Sequence, residues 1–477
     1  MAIKGPRGRM LKLVTDEQVE SIYQSALRVL EKVGVSVKSD KLTDVFAKAG
    51  CEVSTKDRRA TIPRHVVQKA LEKAPKSVTL SGRNPERDVI CEGDTVNFVF
   101  GGTPNAHFID LESGEFRRPT LKDMEAVTTI ADYFDTYAVL MTTAGGFDAP
   151  GGREHLYELA AMLAHTTKPI IYPAPSSEMT ESAIAIATAA AGGEEKMRRR
   201  PMLAVYDEPT SPLGFSGANE HIIELAQTRC PIVCGPSPIA GATAPMTLPG
   251  LATIGLCENL AALVLAQTVT EGAPFVFGPH CGIMDMKTQR FCYGAIELHM
   301  GWVIQGQIAH YLGLPSFSQG GCTDAKRPDA QAGAEAGISA LLSALCGINL
   351  IHNAATTAMG DAGSMEMIVI CDEILGIVFR TLQEIAVDEE SLAFEVIEKV
   401  GPGGNYLGEM HTFKHFREEL YETKLFDRTA HETWIKNGAK EVCEIAKERC
   451  KDILKTHEPE PLTEEAQTKI ANILAAG

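Results

Sequence analysis

Between residues 96 and 352 the chain repeats one pattern, a short apolar run followed by a longer amphipathic stretch. The apolar runs alternate little, as expected for parallel strands that are buried on both faces. We predict strands at 96–101, 137–143, 169–173, 201–206, 231–235, 274–278, 315–318 and 348–352. We predict helices at 120–133, 153–165, 177–192, 217–229, 251–270, 294–312, 328–346 and 365–387. Eight such units in about 290 residues are typical of an α/β protein with a (β/α)8 TIM barrel, whereas a doubly wound sheet usually needs fewer.

The chain before the first strand has a mainly helical pattern. A helix is predicted to start after the capping residue Thr15, a second to end at Gly50 and a third to start near Pro63. Short strands are expected around 77–91. The sequence therefore predicts a helical N-terminal domain at 1–92, a barrel at 93–388 and a helical C-terminal extension packed on the barrel at 389–477.

Composition narrows the classes of function. The net charge of −17 and pI near 5.3 argue against nucleic acid or an anionic membrane as a partner, since both attract basic surfaces. We expect no membrane-spanning run of 18 or more apolar residues, and the N-terminus does not resemble a secretory signal. The twelve cysteines have no CxxC spacing, which favours reduced thiols in a cytoplasmic protein.

In a barrel of this kind the reactive residues follow the strands, at the C-terminal face. His352 ends the eighth predicted strand, so we expect its side chain to point into the mouth. Four aromatic residues around one mouth favour a pocket for a cation, although each is equally typical of a core. The candidate substrate-binding residues are Phe100, Gly101, Gly102, Asn105, Phe147, Tyr172, Tyr206, His280, Gln331, His352 and Asn353.

Several alternatives stay open at these positions. Asp207 and Glu208 are either solvated or paired with lysine, and Asp329 is equally suited to the start of a helix. His280, Cys281 and Cys322 lack the spacing of a zinc site, so no bound metal is expected. The chain also lacks the GxGxxG, GxxxxGK[ST], GxSxG and HExxH motifs, which argues against a bound nucleotide and against common hydrolases.

Five stretches together carry a family resemblance: GGCTDAKRPDAQAG at 320–333, MDMKT at 284–288, GINLIHNA at 347–354, GPGGNYLGEMHTFKHFREEL at 401–420 and PEPL at 459–462. They resemble the trimethylamine:corrinoid methyltransferase superfamily over nearly the whole chain. The resemblance implies a barrel whose mouth receives the corrinoid of a separate carrier protein. Founding members carry pyrrolysine and act on trimethylamine, whereas this sequence has standard residues only. It is in that respect similar to glycine betaine:corrinoid methyltransferases.

The resemblance implies transfer of a methyl group from a quaternary amine, with glycine betaine as the first choice, to a Co(I) corrinoid. A quaternary ammonium leaves as a neutral amine, so no general acid is required. The alternatives are proline betaine, carnitine or γ-butyrobetaine, a tertiary amine, or a barrel that binds betaine or corrinoid without turnover. Because the positive charge fades in the transition state, we expect a loose pocket around the N-methyl groups.

The resemblance also suggests roles for individual residues. His352 is the candidate catalytic residue. The expected donors to a betaine carboxylate are the amides of Gly101 and Gly102 and the side chains of Asn105, Gln331 and His352. The residues expected to face the corrinoid are Gly320, Gly321 and Asp324, with Pro245 and Met246 of the uncharged loop 234–250. The expected partners are a cognate corrinoid protein, the small amine and further copies of the chain in a homo-oligomer.

Overall fold

The computed structural model describes residues 5–8, 11–278 and 280–476, and eight short parallel strands in this part of the chain form the centre of the fold. The strands are β1 (Asn97–Phe100), β2 (Tyr137–Leu140), β3 (Ile171–Pro173), β4 (Ala204–Asp207), β5 (Ile232–Cys234), β6 (Phe275–Phe277), β7 (Phe317–Gln319) and β8 (Leu350–Ala354). Each overlaps one of the predicted strands, because each corresponds to an apolar run that is buried on both faces.

A helix follows each strand and also overlaps its predicted segment. The helices are α1 (Leu121–Tyr133), α2 (Glu154–His165), α3 (Ser177–Ala191), α4 (His221–Thr228), α5 (Leu248–Val269), α6 (Ile296–Leu312), α7 (Ala330–Cys346) and α8 (Met365–Leu382). Side-chain caps start several of them. Asp329, for example, accepts a hydrogen bond from the amide of Ala332 at 3.0 Å, which makes it the N-cap of α7.

The strands form two parallel half-sheets. One runs in the order β3–β4–β5–β6 and the other in the order β7–β8–β1–β2. A single parallel bridge, Leu140 with Ile170, joins β2 to the start of β3, and another, Phe277 with Ser316, joins β6 to the start of β7. The strands thus follow one another around a ring of the TIM-barrel type, in which the sheet is interrupted at two seams.

Strand alternation decides which residues face the centre of the ring. In β4, Ala204 and Tyr206 belong to the cluster inside the ring, whereas Val205 packs in the layer between strands and helices. In β1, Val99 is the inner residue and Phe100 an outer one. Because side chains on a strand alternate between two faces, neighbours at a strand end point in opposite directions.

Helix α5 is apolar on all sides. An 18-residue window of it has a mean hydropathy of 1.6, and 78% of that window is buried inside the protein. Its length and composition would also suit a membrane span, which the sequence was not expected to contain. A helix that is apolar all round also suits the centre of a protein core, and the N-terminal helices cover the outer side of this one.

The helices that cover α5 are Asp16–Lys32, Asp40–Ala49 and Arg64–Lys73. Thr15 and Gln18 form the capping box of the first, and Gly50 ends the second with a left-handed φ of 92°. Three short strands, Val35–Val37, Glu52–Ser54 and Arg59–Thr61, were not predicted, and the first pairs with Gly214–Phe215 in the loop after β4. The apolar core continues from these helices into the barrel.

After α8 the chain is helical. Its helices are Glu389–Leu392, Phe394–Val400, Met410–Glu419, His431–Lys436, Val442–Thr456 and Glu464–Ala475. Val442–Thr456 packs on α8 and α1, and Glu464–Ala475 packs on α3. Other short elements are the helix Glu194–Arg199 and the strands Ser77–Leu80, Val89–Glu92, His107–Ile109, Phe116–Arg117, Ile239–Ala240, Gly282–Asp285, Arg290–Phe291 and Ala362–Ser364. The domain boundaries at 92 and 388 stay predictions. In the two outer segments, residues 1–4, 9–10 and 477 lie outside the described residues.

Candidate active site

Four rings stack inside the barrel near the C-terminal ends of the strands. His352 of β8 stacks on Phe317 of β7, with centroids 4.3 Å apart and planes 16° apart. His352 also stacks on His280, with ring centroids 4.8 Å apart and ring planes 18° apart. Tyr206 of β4 completes the group, 6.1 Å from His280 and 6.3 Å from His352. We call Tyr206, His280, Phe317 and His352 the aromatic floor.

The two histidines of the aromatic floor are buried, with 5% of His352 and 1% of His280 exposed. Counting every residue that the structure describes, none of their four ring nitrogens has a hydrogen-bond partner. Burial lowers the pKa of His280 to about 3, and burial together with His280 lowers the pKa of His352 well below its usual value. Both rings are therefore neutral at neutral pH. Buried polar atoms without partners are rare, which makes these nitrogens candidate contacts for a bound molecule.

Two glycines make room for this arrangement. A Cβ at Gly235 would lie 2.5 Å from Cε2 of Tyr206 and 2.9 Å from Cε1 of His280. A Cβ at Gly102 would lie 1.9 Å from Oδ1 of Asn353 and 3.5 Å from Nδ1 of His352. The rings can approach the neighbouring backbone this closely only because these positions lack a side chain.

Asn353 connects the aromatic floor to the loop that follows β6. It adopts a left-handed φ of 68°, and its amide donates to the carbonyl of Gly101 at 2.8 Å. Its Nδ2 donates to the hydroxyl of Tyr293 at 2.9 Å. The carboxylate of Asp324 accepts the amides of Tyr293 at 2.6 Å and of Gly294 at 2.9 Å. Asp324 therefore holds Tyr293 over the site. Tyr293 was missed because its sequence position carries no motif.

A cavity of about 290 Å³ opens beside the aromatic floor, and Tyr206, Asp207 and Glu208 form one wall of it. The Glu208 side chain is accessible from the cavity, yet protein surrounds it within this concave site. Desolvation consequently raises the pKa of Glu208 to about 7. Asp207 is fully buried, and its Oδ1 is 2.8 Å from Nε2 of His221 and 2.9 Å from Nδ2 of Asn219. Asp207 is therefore neither solvated nor paired with a lysine, whereas Glu208 is accessible from the cavity.

The structure does not bring all predicted aromatic residues to the mouth. Phe100 packs 5.5 Å from Tyr137 in the layer between strands and helices, and Tyr172 lies in the same layer. Strand alternation is the reason, because the inner positions next to them are Val99 and Ile171. Phe147 is 47% exposed on the loop after β2, with the guanidinium of Arg118 5.2 Å from its ring centroid.

Most of the predicted carboxylate donors already have partners. The amide of Gly101 donates to Ala354 at 3.1 Å, and that of Gly102 donates to Thr142 at 3.0 Å. Gln331 is exposed and donates to Glu335 at 2.8 Å. Asn105, in contrast, is 2% exposed, and its Nδ2 has no partner in the described part of the chain. Asn105 and His352 thus remain the candidate donors.

Of the residues predicted to face the corrinoid, Asp324 already binds the amides of Tyr293 and Gly294, and the other four fall into two groups. Gly320 and Gly321 are buried, and the amide of Gly320 donates to the carbonyl of His352 at 3.0 Å, which ties the loop after β7 to β8. Pro245 and Met246 are exposed, and 55% of Met246 is accessible. Met286, of which 63% is accessible, lies beside Met246, since both sulfurs are 3.2 Å from the position of a Cβ at Gly241. We call Pro245, Met246 and Met286 the apolar rim.

The cysteines near His280 point away from it. Cys281 and Cys322 pack with Leu298 and Trp302 in a separate apolar cluster. Within residues 5–8, 11–278 and 280–476, no three His, Cys, Asp or Glu side chains lie close enough together to hold a metal ion.

Comparisons with known proteins agree over almost the full length. A model of the family "Trimethylamine methyltransferase (MTTB)" matches residues 4–476. Trimethylamine methyltransferase MttB of Desulfitobacterium hafniense is 32% identical, over 96% of this chain and 92% of that protein. Glycine betaine methyltransferase of the same species is 31% identical, over 97% of this chain and 96% of that protein. The crystal structure of the Methanosarcina barkeri monomethylamine methyltransferase has the same type of fold, with a TM-score of 0.50 and 14% sequence identity. The match covers 92% of this chain and 94% of that chain.

Proposed function

The chain belongs to the trimethylamine methyltransferase family and is a methyltransferase that acts on corrinoid proteins, and we propose that its methyl donor is a quaternary amine, with glycine betaine as the first choice. The observation that carries the proposal is that the buried ring nitrogens of His280 and His352 have no partner among the described residues, and that both rings pack on Tyr206, which lines a cavity with one accessible acid. Relatives that act on trimethylamine and on glycine betaine are about equally similar, so the choice of donor rests on the site.

The residues present fit a corrinoid that is delivered by a partner protein. The corrinoid would supply the low-valent cobalt that accepts the methyl group. His352 and His280 offer neutral nitrogens with free lone pairs or N–H groups at the centre of the mouth. The exposed apolar rim provides a surface for the carrier protein, because exposed methionines are adaptable contacts in protein interfaces. We assign His352 the catalytic contact and the apolar rim the docking contact.

Glu208 and Tyr206 suit the cationic end of the donor. They line the same cavity, and an aromatic face next to a carboxyl is a favourable environment for an ammonium. A fully ionised carboxylate there would stabilise the bound cation more than the transition state, in which the charge fades. The raised pKa of Glu208 means that the carboxyl is only partly ionised at neutral pH. This keeps the ground-state attraction modest, as the chemistry requires.

Asn105 suits the carboxylate end of a betaine. Its Nδ2 is buried and has no partner among the described side chains and backbone groups. A carboxylate that accepts this donor would remove the cost of burying it unpaired. Trimethylamine has only the lone pair of its reacting nitrogen to accept this donor, whereas a betaine has two carboxylate oxygens away from that nitrogen, so Asn105 favours a betaine over trimethylamine.

A tertiary amine is the second candidate, and the raised pKa of Glu208 favours it. A neutral amine is a poor leaving group unless it is protonated. A carboxyl whose pKa is about 7 still holds its proton near neutral pH and is suited to donate it. The quaternary donor needs no such proton, so the two candidates predict different roles for the same residue.

The proposal is tested by measuring methyl transfer through the change in absorbance of the corrinoid. Purified protein is mixed with Co(I) cobalamin, or with a cognate corrinoid protein, and with a panel of betaines and tertiary amines, and formation of methyl-Co(III) is recorded. Turnover with glycine betaine but not with trimethylamine supports the proposal. Turnover with trimethylamine alone, abolished in Glu208→Gln, establishes the second candidate. Binding of betaine without turnover in either system would overturn betaine as the donor.

We further infer that the two half-sheets form a complete (β/α)8 barrel and that the reaction takes place in the cytoplasm. The eight strands follow chain order around the ring, which supports the first inference. All twelve cysteines are free thiols, which supports the second, since oxidising compartments favour disulfides.

A further inference from the structure

His155 lines the same cavity as Tyr206 and Glu208, although no sequence motif marks it. It is the second residue of α2. Its side chain is half-buried, with 33% accessible. Nδ1 of the ring lies 3.2 Å from Oε2 of Glu158, and no other described residue forms a hydrogen bond with the ring. Nε2 is therefore available to a bound molecule.

Glu158 fixes the orientation of the His155 ring. Its side chain is buried, and its Oε1 accepts the amide of Gly146 at 2.7 Å, so the two oxygens are held from different sides. A carboxylate next to Nδ1 binds the protonated form of that nitrogen and leaves Nε2 on the other side of the ring. The hydrogen bond with Glu158 also raises the pKa of His155 above its ordinary value of 6.5, although burial opposes this shift. Glu158 thus favours a positively charged ring.

The charges around the cavity limit which groups can bind an anion there. None of the described residues that line it is a lysine or an arginine, and two of them, Asp207 and Glu208, are acids. A carboxylate enclosed beside these acids needs a partner of opposite charge, because burying it unpaired is costly. His155 and His221 are the lining residues that can carry a positive charge.

His155 is the more accessible of the two histidines. His221 is 3% exposed, and its Nε2 is 2.8 Å from Oδ1 of Asp207. Its Nδ1 is enclosed by protein and has no partner in the described part of the chain. A ligand in the cavity can reach the ring of His155 without displacing it, whereas contact with Nδ1 of His221 requires the surrounding side chains to move.

Asn105 adjoins the same region of the site. Its carbonyl accepts the amide of Gly145 at 3.4 Å, and the next amide along the chain, that of Gly146, is the one that binds Glu158. Pro104, which precedes Asn105, lines the cavity. The neutral donor proposed for the carboxylate end and the ring of His155 therefore belong to neighbouring parts of the loops after β1 and β2.

The cationic end of the donor has a different wall. Tyr206 and Glu208 lie at the end of β4, whereas His155 follows β2, and β3 lies between these two strands. Neighbouring strands are about 4.8 Å apart, so β2 and β4 are about 10 Å apart. A small zwitterion can thus direct its ammonium to one wall and its carboxylate to the other.

We propose that His155, positioned by Glu158, binds the carboxylate of a zwitterionic donor through Nε2 and thereby selects betaines over amines that lack a carboxylate. This assignment rests on the proposed function, because it concerns the donor of that reaction. His155 is a binding residue, and Glu158 is a positioning residue that acts through it. The bound carboxylate in turn favours the protonated ring, since an opposite charge nearby stabilises the charged form.

Isothermal titration calorimetry with the full-length protein, without carrier protein, tests the assignment with three probes. Glycine betaine carries both charges, tetramethylammonium lacks the carboxylate, and 3,3-dimethylbutyrate keeps the carboxylate but has carbon in place of the nitrogen. In His155→Asn the new Nδ2 can still donate to Glu158, so only the contact of Nε2 is lost. The Kd for glycine betaine and for 3,3-dimethylbutyrate should rise at least about tenfold, as for a lost hydrogen bond to a charged group, and the Kd for tetramethylammonium should stay within about twofold.

Two further variants provide the comparison. His165→Asn makes the same substitution at the other end of α2, where Nδ1 of His165 lies 3.1 Å from the hydroxyl of Thr129, and it should bind all three probes like the wild type. His221→Gln keeps a donor for Asp207 and removes Nδ1. Weaker binding of the two carboxylate probes in His221→Gln but not in His155→Asn would overturn the choice of His155.

Methyl transfer from glycine betaine by the wild-type protein is measured in parallel, which separates a failure of the His155 contact from a failure of the proposed function. Turnover of glycine betaine with unchanged binding in His155→Asn would overturn the contact and leave the function in place. Binding of 3,3-dimethylbutyrate that depends on His155, without turnover of glycine betaine, would support the contact and overturn the donor. Equal weakening of all three probes would give His155 a structural role and overturn the contact, as would a wild-type protein that binds neither carboxylate probe.

Discussion

His352 and His280 lie face to face, with ring centroids 4.8 Å apart, in a pocket that gives neither ring a hydrogen bond from any described residue. Two stacked imidazoles without partners cost free energy in the unliganded protein, because each buries polar atoms that water would otherwise solvate. Their retention at the strand ends is explained if the proposed reaction uses them.

Replacing His352→Ala should reduce methyl transfer at least tenfold, because it removes the nitrogens at the centre of the mouth. His65→Ala is the control, since His65 is exposed on an N-terminal helix. The rate of methyl-Co(III) formation and the circular dichroism spectrum are measured together. An unchanged rate in folded His352→Ala would remove the catalytic assignment.

Glu208 should make the reaction of a quaternary donor pH-dependent. The donor's own charge does not titrate, so any change in KM between about pH 6 and 8 reports on the protein. The carboxyl, whose pKa is about 7, gains charge as pH rises and should lower the KM. Glu208→Gln should flatten the profile, which steady-state kinetics at several pH values will show. A wild-type KM that does not change over this range would contradict the assignment of Glu208 to the cation.

Gly235 should be intolerant of any side chain. In Gly235→Ala the new Cβ would overlap the rings of Tyr206 and His280, so we expect a destabilisation of about 1–3 kcal/mol, as for other overpacked sites. The displaced floor should also lower kcat/KM at least tenfold. Gly333→Ala is the matched control, because a Cβ there meets no described atom within 4 Å. Urea unfolding and kinetics with the two variants give the comparison, and equal behaviour would show that the floor tolerates displacement.

The apolar rim should matter for the carrier protein and not for the amine. Met246→Glu combined with Met286→Glu should raise the KM for the corrinoid protein about tenfold or more, since the change places charges in an apolar contact. The rate with free cobalamin provides the internal control and should stay at the wild-type value. A loss that is equal in both assays would mean that the methionines support the site itself rather than docking.

Glu258 should make the stability fall with pH. Its carboxylate, buried below the loop after β4, accepts Ser211 at 2.8 Å and Leu213 at 2.7 Å, and desolvation raises its pKa from 4.5 to about 7. A folded-state pKa above the unfolded value gives stability that is fully present below pH 4.5 and lost as pH rises through 7. Glu258→Gln should reduce the fall in Tm between pH 5 and pH 8 by about 1–2 °C. Scanning calorimetry at both pH values measures this change, and an identical fall in both proteins would contradict it.

The barrel strands and helices were predictable because each is a long enough apolar or amphipathic run. His352 was predictable because it ends such a run, and its neighbour Asn353 followed from the same reasoning. Phe100 and Tyr172 were placed at the mouth because the sequence alone does not fix which face of a strand a terminal residue occupies. Gly101 and Gly102 were assigned as donors because the partners of loop amides, here Ala354 and Thr142, lie far away in sequence.

Other features depend on distant contacts and had no local signal. Glu208 became a candidate only when the concave site around it was known, since burial sets its pKa. Tyr293 lies over the mouth because Asp324, 31 residues later, binds its amide. The C-terminal extension at 389–477 was expected to pack on the barrel, as amphipathic helices usually do, yet its helices Phe394–Val400 and Met410–Glu419 leave large apolar side chains exposed.

The two seams give the barrel a mechanical character. Each seam has one bridge between strands, whereas neighbouring strands inside a half-sheet pair at three residues each. Shear between the half-sheets thus meets the least resistance along these two lines. Tyr206 and His280 belong to the half-sheet β3–β6, and Phe317 and His352 belong to the half-sheet β7–β2. The packed rings therefore connect the two half-sheets across the seam between β6 and β7. A ligand that contacts these rings would therefore touch both half-sheets at once.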